Sequence, residues 1–402
     1  MDLLDKHEHL AERHKLMLSL GGNAVGLRME KILSPTRAII GCRETILAGT
    51  NNYMGMTFDP ACIEAGKRAL DEAGTGTTGA RIANGTYAMH QDLEKVLSGY
   101  LKREHVIVFS TGYQANLGML SGLAGPNDTI FLDADSHSSI YDGCRMSGAK
   151  LVRFRHNDAA DLDKRMMRMA DEPGGRLVVL EGIYSMFGDR APLADFVALK
   201  RKHDFALMVD EAHSLGILGD NGRGLAEEAG LEDEVDFVVG TFSKSLGAIG
   251  GFGAGNHRLF EMIRFASRPY MFTASPSPAS IATVTEAVHQ LMARPELRDA
   301  IRRNSEQLYR GFKGLGLELC CDTVSPVVAV RVADEPTAIR MWNALVNGGV
   351  YVNIALPPGT PNGTCLLRCS VSAAHTPEEI SRVIDIFADV VAPDRGALAA
   401  AG

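Results

Sequence analysis

The sequence predicts an α/β fold: a large domain with a mostly parallel sheet covered by helices, and a smaller α+β C-terminal domain. Three observations lead there. Short apolar, β-branched runs recur at 105–110, 129–133, 150–154, 176–181, 206–210 and 236–240, separated by polar or helical stretches. Strands of this kind are buried on both faces and are joined by crossover helices. Polar residues with chemical potential, namely Asp135-Ser136-His137, Glu181, Asp210 and Lys244, stand where these runs end, and a parallel sheet binds ligands at the carboxyl ends of its strands. Past about residue 275 the alternation gives way to two long helical patterns and a few isolated strands.

In chain order, residues 3–33 read as helical, interrupted at Gly21-Gly22. Amphipathic periodicity predicts helices over 60–73 and 87–102. The six strand runs follow. Helices are expected at 278–293 and 297–315, a strand at 326–332, a helix at 335–348, a short strand at 350–354, a strand at 365–370 and a last helix at 376–391. The Ala/Gly-rich tail, 394–402, is expected to fray. This divides the chain into an N-terminal helical segment (1–45), a large cofactor-binding domain (46–277) and a C-terminal α+β domain (278–402). There is no internal repeat.

Composition narrows the function. The 402 residues bury a core without covalent staples, and 46% hydrophobic with 22% charged content is that of an ordinary soluble domain protein. A net charge of −8 argues against a nucleic-acid partner held by bulk electrostatics. No apolar run approaches the roughly 20 residues that span a bilayer, and the charged N-terminus has no signal-peptide core. The cysteines, Cys42, Cys62, Cys144, Cys320, Cys321, Cys365 and Cys369, are odd in number and lack a second spaced pair. They fit free thiols in a reducing cytoplasm, with no zinc site.

Lys244 lies in Gly240-Thr-Phe-Ser-Lys-Ser-Leu-Gly247 after an apolar run, and Asp210 ends the run before Glu211-Ala212-His213. Alone, such a lysine is an ordinary loop residue and such an aspartate an ordinary cap. Together and in this order they fit pyridoxal phosphate (PLP) chemistry, in which a lysine amine holds the aldehyde as a Schiff base and an aspartate pairs with the pyridinium nitrogen. Phe109-Ser-Thr-Gly-Tyr-Gln-Ala-Asn116 follows a strand and opens a helix, so Gly112 and the helix N-terminus suit a phosphate, and Tyr113 offers an aromatic face. His137 can stack on a heteroaromatic ring and still donate from its edge. Asp133 and Asp135 lack a third ligand for a metal. Arg368, between apolar residues of a strand, needs an anionic partner, and a substrate carboxylate is one. Gly74-Thr-Gly-Thr-Thr-Gly79 matches the dinucleotide fingerprint but follows a helix rather than a strand, so it reads as a loop near the active site.

These blocks, with Asn52-Tyr-Met-Gly, Leu180-Glu-Gly-Ile-Tyr-Ser-Met, Phe272-Thr-Ala-Ser and Leu367-Arg-Cys-Ser, resemble the α-oxoamine synthases, fold-type I PLP enzymes, from about residue 25 to 390. The resemblance implies that Lys244 carries PLP, Asp210 holds the pyridine nitrogen, His213 reaches the phenolic oxygen and His137 stacks on the ring. It further implies cofactor contacts from Gly112, Tyr113, Ser185, Thr241 and Ser243, and from Thr273 across a homodimer interface with shared active sites. Asn52 and Arg368 would bind substrate. The implied reaction is a decarboxylative condensation of an amino acid, L-serine, with a long-chain acyl-CoA, palmitoyl-CoA, giving 3-oxosphinganine, CoA and CO2, the entry to sphingolipid synthesis. Two positions depart from the pattern of the serine-using branch: Asn51 stands where a tyrosine is expected and Leu356 where an arginine is. They leave open a sister synthase using glycine, alanine or another amino acid with a different thioester. A non-catalytic regulatory subunit would lack the lysine; Lys244 is in place.

Overall fold

The computed structural model describes residues 2–21 and 26–399. Its contacts divide the chain into two units: one of residues 1–51, 186–188 and 300–402, the other of residues 52–185 and 189–299.

The first unit opens with the helix Glu8–Ser19. The expectation of helix through residue 33 fails beyond it. Gly22 lies outside the described residues, and from Met29 the chain forms an antiparallel meander of β1 (Met29–Ser34), β2 (Arg37–Ile40) and β3 (Arg43–Leu47). Met29, Ile32 and Leu33 sit at spacings that also suit a helix, which accounts for the misreading.

The second unit is built on seven strands: β4 (His105–Phe109), β5 (Thr129–Asp133), β6 (Lys150–Phe154), β7 (Arg176–Glu181), β8 (Ala206–Asp210), β9 (Phe237–Thr241) and β10 (Gly251–Gly255). Their order is β4-β10-β9-β8-β7-β5-β6, with β5 to β9 parallel and β10 antiparallel to both neighbours. Six of the seven were expected. β10, Gly-Phe-Gly-Ala-Gly, carries no β-branched residue and was not. It is glycine-rich because neighbours press on it: a Cβ on Gly253 would lie 2.2 Å from Met119 Sδ, and one on Gly251 would lie 2.6 Å from Gly112 Cα.

The β7–β8 register sets Glu181 beside Asp210, so the strand ends carry two adjacent acids. A core of Ile107, Phe109, Met119, Ile130, Leu132, Val179, Met208 and Val239, each at most 2% exposed, fixes the sheet against the helix Gly112–Leu123. The helix Pro278–Ala293, expected with the C-terminal domain, packs in this unit against the helices Pro60–Ala73 and Ala88–Leu101.

The rest of the first unit holds β11 (Val327–Val332), the helix Glu335–Gly348, β12 (Val350–Tyr351), β13 (Asn353–Ala355), β14 (Cys365–Ser370) and the helix Pro377–Ala399. The expected strand at 350–354 is two pieces that serve two sheets. β12 joins β3 in parallel, and β13 joins the order β11-β14-β13. The last helix continues to Ala399, through residues expected to fray; 400–402 lie outside the described residues.

Candidate active site

A cavity of about 280 Å³ opens at the carboxyl ends of β8 and β9. Its lining brings together Gly112, Tyr113, His137, Asp210, His213, Thr241, Ser243 and Lys244, all expected from sequence. Glu181, which the sequence places at a ligand-binding strand end, also lines it, as do Asn116, Ser139 and Ile249, to which the sequence assigns no role.

Lys244 sits on the loop between β9 and β10, which Phe242 N–H to Gly250 O at 2.9 Å and Ala248 N–H to Phe242 O at 3.0 Å close into a tight turn. Thr241 and Ser243 face each other with hydroxyl oxygens 2.9 Å apart. Gly112 lies against this pair: a Cβ there would come within 2.6 Å of Thr241 Cβ. Gly112 begins its helix, capped by Thr111, whose hydroxyl accepts from Gln114 N–H at 3.1 Å. The N–H groups of Gly112 and Tyr113 have no intrahelical acceptor, and with two hydroxyls beside them they form a cradle for an anion.

Asp210, 5% exposed, accepts from Ala212 N–H at 2.9 Å and from the Asn116 amide at 2.7 Å. His213 is also buried, its Nδ1 2.7 Å from the Tyr53 hydroxyl. His137 caps the helix Ser138–Ser147, meets Tyr113 edge-on with centroids 6.3 Å apart, and gives its backbone N–H to Glu181. Burial lowers the His137 imidazole below its ordinary pKa; Asp210 opposes this and Lys244 adds to it. Burial, with Asp210 second, raises the Glu181 carboxyl well above the usual carboxylate range.

The other expected site residues do not line this cavity. Thr273 accepts a hydrogen bond from Gln114 Nε2 at 3.1 Å. Asn52 donates to the Thr57 hydroxyl at 2.8 Å. Ser185 is half-buried after the β7 end. Arg368 belongs to the first unit, on β14, 6% exposed, and its Nη2 donates to Asn51 Oδ1 at 3.3 Å. The departure at position 51 therefore touches the arginine expected to bind substrate. The Gly74–Gly79 segment is a loop, with Thr77 Oγ1 2.6 Å from Ser275 Oγ, which ties it to the segment carrying Thr273.

The pocket fits PLP on observations of its own. A glycine contact leaves no room for a side chain where a phosphate would lie, Asp210 keeps acceptor capacity beyond its two bonds, and the buried Asn116 Oδ1 has no hydrogen-bond partner. Glu181, Asn116 and Ser139 sit inside or beside motifs read from sequence. For Asn116 there was a usable signal: it lies four residues after Gly112, on the same helix face.

The aminotransferase class I and II family matches residues 43–387. The chain is 52% identical over 390 residues to serine palmitoyltransferase of Caulobacter vibrioides, covering 97% of this chain and 96% of that one. It is 52% identical over 388 residues to serine palmitoyltransferase of Sphingomonas paucimobilis, covering 96% and 92%. Among solved structures it superimposes on serine palmitoyltransferase from S. paucimobilis with a bound PLP-myriocin aldimine. That match has a TM-score of 0.96 at 50% identity and covers 98% and 99% of the two chains. Among the described residues no helix is long and apolar enough to cross a membrane.

Proposed function

This chain belongs to the aminotransferase class I and II family, in its α-oxoamine synthase branch, and from that premise we propose that it is a PLP-dependent acyltransferase condensing L-serine with palmitoyl-CoA to give 3-oxosphinganine, CoA and CO2. The observation that carries the reading is 52% identity, over nearly the full length of both chains, to the serine palmitoyltransferase of Caulobacter vibrioides.

When bound, PLP would supply an electron-accepting ring for chemistry at the substrate α-carbon. Lys244 Nζ would hold the cofactor covalently, and its amine would remove the substrate α-proton and return a proton at the end. Asp210 would keep the pyridine nitrogen protonated, and Asn116 orients that carboxylate. His213 would donate toward the phenolic oxygen, and Tyr53 holds its ring. His137 would stack on the ring face. Gly112 and Tyr113 N–H, Thr241 and Ser243 would hold the phosphate, and Thr273 would reach the phosphate held by a partner subunit. Asn52 and Arg368 bind substrate, and Ser185 contributes to the cofactor pocket.

The test crosses purified protein with a panel of amino acids and acyl-CoA chain lengths. L-serine with palmitoyl-CoA should release CoA fastest. If serine leaves the cofactor absorbance unchanged while glycine or alanine shifts it, the serine assignment fails and a sister synthase takes its place.

A further inference from the structure

Four polar groups at the site form one hydrogen-bonded chain: Asp210, Asn116, Ser139 and His137. The Asn116 amide nitrogen, on a residue 3% exposed, donates to Asp210 Oδ2 at 2.7 Å and to Ser139 Oγ at 3.0 Å. A carboxylate offers only lone pairs, so the group facing it is the NH2, and the amide has one orientation. Ser139 Oγ is then an acceptor from Asn116, and its single proton goes to its other partner, His137 Nδ1, 2.7 Å away. Independently, the backbone N–H of Ser139 points at the same nitrogen at 3.2 Å, and a backbone N–H only donates. His137 Nδ1 thus faces two donors and carries no proton.

We infer that Ser139 and Asn116 lock His137 as its neutral Nε2–H tautomer, keeping a hydrogen-bond donor on the ring edge that a ligand can use. Nε2 has no protein acceptor among the described residues, and His137 lines the cavity. The charged and titratable groups around the ring are Glu181, Asp210, Lys244 and Tyr113. None of them donates to or accepts from Nε2. The ligand chemistry this suits is an anionic oxygen, a carboxylate or a developing oxyanion; its assignment to the amino-acid carboxylate rests on the function proposed above, whereas the tautomer does not. Ser139 and Asn116 act through His137 and are positioning residues. The same chain couples the ring-stacking imidazole to the carboxylate proposed to hold the pyridine nitrogen.

The test is nitrogen NMR on 15N-histidine-labelled PLP-loaded protein, with the His137 ring assigned by its disappearance in His137→Gln. Two-bond proton–nitrogen correlations should show a bare Nδ1 and a protonated Nε2. Ser139→Ala should populate the Nδ1–H form and move the protonation midpoint of His137 upward, because a donor that opposes a proton at Nδ1 is gone. Ser139→Thr keeps a hydroxyl and should restore the wild-type pattern. Serine binding, read by spectral titration, should weaken about threefold to tenfold in Ser139→Ala, as for one lost neutral hydrogen bond, with kcat moved less than KM. A wild-type ring protonated at Nδ1, or a Ser139→Ala ring unchanged in pattern and midpoint, overturns the inference. The expected tautomer in a protein that binds no amino acid would uphold it and count against the function instead.

Discussion

At the scale of single residues, Lys244 and Asp210, singled out by their intrinsic chemistry, line one cavity, whereas residues that act through a neighbour carry no such mark in the sequence. A lysine and an aspartate at strand ends announce themselves, because few other groups can hold an aldehyde or a pyridinium. Asn116 and Ser139 are unremarkable helix residues until their hydrogen bonds are traced to Asp210 and His137. Two predictions belong here. Lys244→Ala should fold and give a protein without the covalently held yellow chromophore; borohydride reduction followed by peptide mapping checks it, and labelling of any other lysine would refute the assignment. Asp210→Asn should keep the fold and lose about a hundredfold or more in turnover, since a pre-placed charge facing a reacting group is worth that much. Near-normal α-proton exchange with serine in that variant would contradict the role.

At the scale of elements, strands with β-branched signatures were legible, and the glycine-rich one without a β-branched residue was not. β10 is a strand because its neighbours supply the ladder, and its sequence answers to close packing rather than to β propensity. The β1–β3 meander was missed because short apolar spacings do not separate helix from strand. A second element-level feature was invisible because its partners are 56 residues apart at the extremes. His156 is clamped between Asp133, at the end of β5, and Asp189, ahead of the helix Leu193–His203, with Nδ1 and Nε2 at 2.8 and 2.7 Å from the two carboxylates. Burial pulls the imidazole down, but the hydrogen bonds it donates to both aspartates outweigh this and push its pKa up to about 10. A folded pKa raised above the unfolded value of about 6.5 means that the clamp contributes its full stability below that pH. The contribution is then lost as pH rises toward 10. Denaturant midpoints should therefore fall across that window in wild type, and much less in His156→Gln. At pH 6, His156→Gln should cost about 3 kcal/mol, because Asp133 is left buried against a weaker partner. An equal pH slope in the two proteins would show that the clamp is not charged.

At the scale of the whole molecule, the sequence supports a proposal that a single chain cannot test: two copies share their active sites. Phe265, Phe272 and Ile249 are 66, 67 and 65% exposed, and Ile82 is 45% exposed. Large apolar side chains left this open on one unit call for a cover. Ile249 lines the cavity itself. Phe272 precedes Thr273, and that segment is held to the Gly74–Gly79 loop through Ser275 N–H to Gly79 O at 3.0 Å. Exposed Phe272 is therefore the immediate sequence neighbour of the residue proposed to cross over. Phe272→Asp should shift the protein from dimer to monomer in sedimentation velocity and lower its affinity for PLP. Complementation is the sharper test. If each site takes Lys244 from one chain and Thr273 from the other, Lys244→Ala and Thr273→Val chains are both impaired alone. Refolded together in equal amounts, half of the dimers are mixed, and each mixed dimer has one site with both defects and one with none. Activity should then recover to about a quarter of wild type by random pairing. If mixing gives no more than the average of the two variants, Thr273 serves its own chain's site and the shared-site proposal fails.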